Sequence, residues 1–244
     1  MNEDGNAERQ YQRWDIHQRI QHMTLLISFS TLIITGLPLR YAGAPTAQTI
    51  TQAVGGAYAA SVIHRIAAGL LILTAGYHLI YIGLCIYRGK QCTAVTPRWK
   101  DIADFIGMVK YNLGLAREKP RFGRYTFDQK FEYWALVWGC VLMIVTGSIL
   151  LSPVMTLQYL PVILLKLSRV IHSAEALLAA LAITVWHFYH AHLAPDVFPM
   201  SKIWLTGLIS EKEIKKLHPL EYEQITRGSG EHAEQDDAAN AAND

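Results

Sequence analysis

Two pairs of histidines stand at matching separations along this chain. His64 and His78 are fourteen residues apart, His172 and His187 fifteen, and each pair lies within one apolar stretch. At about 100° and 1.5 Å per residue, both separations return a helix to nearly the same face and span roughly 21–23 Å. A neutral imidazole binds haem iron axially, and one from each of two facing helices caps the iron from opposite sides. Imidazoles at two depths thus predict two stacked bis-histidine haems of the non-covalent b type. Zinc fits less well, because its sites gather four ligands at one point. A reading from a different class remains beside these: a haem-free, histidine-rich membrane anchor or proton-relay or transport protein. Ionisable side chains inside a bilayer are costly and mark function in either case.

The elements that must carry these histidines are membrane helices. Of 244 residues 51% are hydrophobic and 17% are charged, against about 25% charge in soluble domains. Apolar runs at 20–40, 59–87, 132–152 and 169–193 each reach the length of about 20 residues that a hydrocarbon core requires. The expected fold is all-α and integral to the membrane, a four-helix bundle enclosing the haems. The expected division is a cytoplasmic N-terminal segment 1–19, a membrane domain 20–194 with a cytoplasmic loop at about 88–130, and a cytoplasmic C-terminal segment 195–244. No cleavable signal peptide is expected, since the polar first residues lead directly into the first helix.

Ten basic residues lie between Arg88 and Lys130, whereas the loops after helices 1 and 3 hold only Arg40 and Lys166. Basic loops stay in the cytoplasm, so both termini and the long middle loop are assigned there, in a bacterial inner membrane. The net charge of +2 follows from topology and implies no nucleic-acid partner. Within the loop, Ile102, Phe105, Ile106, Val109 and Leu113 have helical spacing, which predicts an amphipathic helix over 101–115 lying on lipid or packed on a partner subunit. Residues 1–16 are expected to be ordered only by partners, 153–167 to form a periplasmic cap broken by Pro153 and Pro161, and 228–244 to be a disordered acidic tail.

His64 and His172 each open a helix running inward from the periplasmic side and form the pair at that depth. At the cytoplasmic level His22, His78 and His187 compete for two places. A short internal repeat, Leu-Ile-Ile-Thr-Gly ending at Gly36 and Met-Ile-Val-Thr-Gly ending at Gly147, each followed by a helix opening with Ile-His, favours His78 with His187. The glycines also suit close helix packing. His17, His190 and His192 are expected to cluster near the interface, and a third haem using His190 is a lesser alternative. Arg19 and Arg65 suit haem propionates, because guanidinium meets carboxylate in a two-point fork, or they snorkel to the interface. Glu175, one turn from His172, could accept a proton from a quinol, and Glu132 with Tyr133 and Asp15 with Arg19 offer the same at the other face. Cys85, Cys92 and Cys140 form no haem-attachment or cluster motif, and structural disulfides are not expected.

Arg19-Ile-Gln-His22 entering a helix that ends Thr35-Gly36-Leu-Pro resembles the membrane cytochrome b subunits of formate dehydrogenase and nickel–iron hydrogenase. Ile63-His64-Arg65 and Val185-Trp-His187-Phe-Tyr189 extend the resemblance over most of residues 13–194. Ile171-His-Ser-Ala-Glu-Ala, Trp186-His-Phe-Tyr and Pro195-Asp-Val-Phe-Pro199 also look like the cytochrome b/b6 domain proteins that accompany multihaem cytochromes in anaerobic respiration. The resemblance implies an electron-transfer subunit of a respiratory oxidoreductase, which works between quinone and a multihaem cytochrome c, an iron–sulfur protein or a dehydrogenase. It also implies one ligand from helix 1, one from helix 2 and two from helix 4, here His22, His64, His172 and His187. The chain departs from that pattern in spacing His172 and His187 by fifteen rather than fourteen and in carrying His78. Both departures look more like the cytochrome b of bc-type complexes. The family pattern therefore supports His22, and the internal spacing supports His78.

Overall fold

The computed structural model describes residues 9–89 and 92–227. The first eight residues, part of the segment expected to be ordered only by partners, and the acidic stretch 228–244, expected to be a disordered tail, lie outside the described residues.

Four long apolar helices dominate: α1 (Ile16–Arg40), α3 (Gly56–Tyr87), α5 (Phe127–Leu151) and α7 (Val162–Leu181), whose winding continues to Leu193. Each is long and apolar enough to cross a membrane. α1 and α5 begin with reciprocal caps: Asp15 accepts from the Gln18 amide at 2.8 Å while the Gln18 side chain accepts from the Asp15 amide, and Thr126 and Gln129 repeat the arrangement. These bonds satisfy amides that a helix start leaves without partners. α1 packs chiefly on α3 and α5 on α7, with far less contact between the two hairpins. Buried Ser28, Thr35 and Ala67 line the first seam and Thr146 and Ser168 the second. Small side chains at these seams let the backbones approach closely, as membrane helices require.

The structure extends several sequence expectations. The loop after α1 folds into α2 (Pro45–Ala53). Of the expected cap, only α6 (Pro153–Tyr159) is separate, and residues from Val162 onward belong to α7. Pro161 provides the fixed extended residue that starts α7 rather than a break within a cap. The amphipathic helix is α4 (Trp99–Asn112), with Ile102, Phe105 and Ile106 exposed along one side. Asp101 secures it to α5 by accepting from Lys130 at 2.8 Å. Cys85 is disulfide-bonded, contrary to expectation, while Cys140 is a free thiol.

The segments flanking the bundle join into one clasp. Strand β1 (Gln10–Gln12) pairs antiparallel with β2 (Leu208–Ser210), which follows the short α8 (Ile203–Thr206) and precedes α9 (Glu211–Leu217). The residues just before α1 are thus ordered by this chain's own C-terminal segment and not by partners alone. Gly207 makes the junction possible at φ +78°, where an added Cβ would meet the Trp14 carbonyl oxygen at 2.5 Å. Buried Arg13 pairs with buried Glu221, which also accepts from Arg124 at 2.9 Å. His218 is bonded to the Gly123 carbonyl at 2.7 Å and faces the Arg13 guanidinium at 3.1 Å. Burial, and then the neighbouring Arg13 charge, pull the His218 pKa down to about 3. The imidazole is therefore neutral at physiological pH and able to accept from Arg13.

Candidate functional site

The sparse contact between the two hairpins leaves room for the histidines to face one another across it. His64 on α3 and His172 on α7 have ring centroids 6.5 Å apart. His22 on α1 and His187, on the continuation of α7, are also 6.5 Å apart. Two metal–nitrogen bonds of about 2 Å each, together with the two ring radii, give a separation of about 6 Å for an ion held between two imidazoles. Both pairs therefore have the spacing that bis-histidine ligation needs, each with one ring from either hairpin.

The inner shell of the first pair repeats across the hairpins. Thr35 Oγ1 donates to the Thr31 carbonyl at 2.7 Å, so its oxygen is left to accept from His64 Nδ1 at 3.0 Å. Thr146 donates to the Leu142 carbonyl at 2.6 Å and accepts from His172 Nδ1 at 2.9 Å. Each threonine thereby fixes the tautomer that leaves Nε2 with its lone pair, the arrangement a metal-binding imidazole requires. Each is followed by glycine, and an added Cβ would stand 2.8 Å from His64 Cε1 at Gly36 and 3.1 Å from His172 Cε1 at Gly147. The Thr-Gly repeat is thus two equivalent imidazole seats. Its sequence signal was present, but close helix packing explained the glycine without giving the threonine a task.

At the other level the seats differ. His187 Nδ1 donates to Glu132 of α5 at 3.0 Å. His22 lies between Trp14 and Trp204, with centroids at 5.3 and 6.0 Å. Neither tryptophan was singled out for this place by the sequence. The five buried side-chain polar atoms without a partner among the described residues are Arg19 Nε, Gln21 Nε2, His22 Nδ1, Glu132 Oε1 and Trp204 Nε1. All belong to this end of the molecule. Leaving buried donors unpaired is costly, and Arg19 and Trp204 can both donate to carboxylate oxygens. The structure thus fits a flat, carboxylate-bearing group at this level. Arg65 at the opposite level is exposed.

His78 is placed apart from both pairs. Its Nδ1 donates to Gln21 Oε1 at 2.8 Å and its Nε2 accepts from the Tyr133 hydroxyl at 2.8 Å, so both ring nitrogens are engaged. It bridges α1 and α5, joining neighbours of His22 and of Glu132. The fifteen-residue spacing also has a local cause. From Ala182 to His187 and again from Tyr189 to Leu193 the helix widens to i→i+5 bonding, with the Phe188 amide bonded to the Ile183 carbonyl. Fifteen residues of regular helix overshoot four whole turns by about 60°. The wider winding turns the chain less per residue and absorbs the extra residue before His187.

The remaining sequence candidates separate. Glu175 lies on bare Gly139 of α5, where an added Cβ would stand 2.7 Å from its Oε1. His17 bonds to Tyr77 at 2.7 Å, while His190 and His192 stack on Trp186 and Phe188 of their own helix. Each of these three histidines is thus engaged by an aromatic side chain. Among the described residues no three His, Cys, Asp or Glu side chains converge as a metal-binding group.

Similarity to known proteins covers the same region. The family described as prokaryotic cytochrome b561 matches residues 13–198. The cytochrome b556(Fdn) subunit of the nitrate-inducible formate dehydrogenase of Escherichia coli (strain K12) is 26% identical over 209 residues, 86% of this chain and 88% of that protein. The formate dehydrogenase cytochrome b556 subunit of Haemophilus influenzae is 26% identical over 206 residues, 84% and 79% of the two chains. The Escherichia coli (strain K12) cytochrome b556(fdo) subunit is 31% identical over 113 residues, 46% of this chain and 51% of its own.

Proposed function

Since the chain belongs to the prokaryotic cytochrome b561 family, we propose that it is a dihaem electron-transfer subunit that carries electrons across the membrane between the quinone pool and a redox partner. One haem is held by His64 and His172, the other by His22 and His187. The observation that carries this reading is the 6.5 Å separation within each pair, reached twice between the same two hairpins. When bound, b-type haem supplies reversible one-electron chemistry. The chain's part is to hold, orient and insulate. Thr35, Thr146 and Glu132 aim the imidazoles through Nδ1, Gly36 and Gly147 make room for two of the rings, and Arg19 and Trp204 donate to propionates at the cytoplasmic level.

Glu175, next to the periplasmic pair and inside the bundle, is the candidate acceptor for a quinol proton at that side. The relatives named as formate dehydrogenase subunits favour a dehydrogenase with iron–sulfur centres as partner, with a multihaem cytochrome c as the other candidate. Both termini and the α4 loop face the cytoplasm of a bacterial inner membrane, as the basic residues imply. The test is direct: purified protein shows reduced-minus-oxidised bands of low-spin b haem, and a pyridine haemochrome assay returns about two haems per chain. A colourless protein refutes the reading, and three haems per chain restore His190 as a ligand.

A further inference from the structure

Helix α4 (Trp99–Asn112) is amphipathic in the reverse of the usual sense. Trp99, Ile102, Ile106, Val109 and Leu113 recur at i, i+3, i+7, i+10 and i+14, and so share one face. All five are exposed, Trp99 to 88%. The opposite face carries Asp101, Asp104, Gly107 and Tyr111, and these are the half-buried positions. Asp101 accepts from Lys130 of α5 at 2.8 Å, and Asp104 accepts from Lys100 at 2.7 Å. Lys100 also donates to the Arg121 carbonyl at 3.0 Å. Gly107 lies against Pro120, where an added Cβ would stand 2.8 Å from Cγ, and the Lys119 ammonium lies 5.5 Å from the centre of the Tyr111 ring. A helix packed on its own protein turns its apolar stripe inward. Here polar and small residues take that place, and the apolar stripe faces away.

From this reversal we infer that α4 is a membrane-surface helix. Its stripe sits at the headgroup–acyl boundary of the leaflet beside the start of α5, with Arg98 and Lys110 on phospholipid phosphates. This surface is independent of the haems. Its depth follows from α5, whose 25 residues make about 37 Å of helix against about 30 Å of hydrocarbon. The excess places the first turn of α5 at the boundary. Lys130 of that turn holds Asp101, and one turn further on Trp134 Nε1 donates to the Val95 carbonyl at 3.1 Å, just ahead of α4. The stripe also runs on into the outward face of α5. Phe105 meets Phe127 with ring centroids 5.5 Å apart, and Phe131, Trp138 and Val145 continue exposed along that spanning helix. A face continuous with a spanning helix meets the same lipid. Charge agrees, because both acids of α4 are paired within the chain while Arg98 and Lys110, near its two ends, are exposed. Tryptophan, here Trp99, favours the headgroup level, and a basic amphipathic helix binds by apolar burial together with attraction to phosphates. The membrane thereby holds the loop that carries Lys119 to Asp196 and Arg124 to Glu221.

The test places the photo-crosslinker benzoylphenylalanine at Ile106 of the full chain in a bacterial inner membrane and reads the mass added on irradiation. An adduct of phospholipid mass is expected at Ile106, and none at Tyr111 on the packed face. A polypeptide adduct at Ile106 assigns the stripe to a partner subunit and overturns the lipid surface. Absence of any adduct leaves the stripe in water and overturns it as well, as does equal lipid labelling at the two positions. Amide hydrogen exchange in phosphatidylcholine nanodiscs gives a second measurement. Ile106→Glu is expected to speed exchange in α4 about tenfold, through the lost burial of one apolar side chain. The α1 and α3 interiors should stay unchanged, and Ile106→Leu should match wild type. Wild-type exchange of α4 in Ile106→Glu would overturn the surface.

Discussion

Thr35 Oγ1 lies 3.0 Å from His64 Nδ1 with its own proton already committed to the Thr31 carbonyl. One hydroxyl therefore sets both the tautomer and the ring orientation of an imidazole on the neighbouring helix. The same relation joins Thr146 to His172. Replacing either threonine with valine keeps the shape and removes the acceptor. Loss of such an outer partner typically lowers metal-site affinity about 10–100-fold. Thr35→Val and Thr146→Val are each expected to weaken retention of one haem, measured by haem transfer to apomyoglobin, with the double variant weaker than either. Wild-type retention in both would separate the threonines from the cofactor.

His22 and His78 offer a cleaner discrimination, because they lie at one level but in different bonding states. His78 spends both ring nitrogens on Gln21 and Tyr133, whereas His22 faces His187 across the hairpins. His78→Ala is expected to retain two haems per chain by pyridine haemochrome, and His22→Ala to retain one. The reverse result would move the ligand to His78.

Glycines 36 and 139 predict opposite outcomes from the same substitution. A Cβ at Gly36 would meet a rigid imidazole carbon at 2.8 Å, and one at Gly139 would meet the Glu175 carboxylate at 2.7 Å. The carboxylate ends a flexible side chain and can rotate away, whereas the ring is pinned by Thr35. Gly36→Ala should therefore lose the His64–His172 haem, and Gly139→Ala should keep both. Equal haem content in the two variants would sink this account.

The membrane architecture was legible because its signals are local: apolar length gives the four helices, and histidine spacing gives two levels. Pairing across hairpins is a different kind of fact. His22 and His78 are expected at the same depth, and what distinguishes them is contacts across helices: His22 faces His187, whereas His78 is bonded to Gln21 and Tyr133. The local winding of α7 was not legible either, since the segment from Ala182 widens to i→i+5 bonding within an apolar run that reads as regular helix. The clasp that joins Arg13 to Glu221 was invisible because its charges lie far apart in sequence and read as ordinary surface residues. Trp14 and Trp204 reach His22 from either end of the chain through that same clasp.

The widened stretch makes a deletion informative. If one extra residue is what the i→i+5 winding absorbs, removing Ile183 should let the helix return to regular winding and restore fourteen-residue spacing. The deleted protein is expected to bind two haems per chain with unchanged reduced-minus-oxidised bands. A single haem would mean that the wide turn itself shapes the His187 site.

His218 predicts how the clasp responds to acid. In the folded clasp its pKa is drawn down to about 3 by burial and by Arg13, while in an opened chain it titrates near 6.5. Between these values the open state binds more protons, so the stability His218 contributes is complete above about pH 6.5 and is lost progressively as pH falls toward 3. Amide hydrogen exchange in β1 and β2, corrected for intrinsic rates, should show less protection at pH 5 than at pH 7.5. His218→Gln, which does not titrate, should flatten that difference while the α1 and α5 interiors stay protected at both values. Equal pH dependence in the two proteins would mean that the clasp opens through another group.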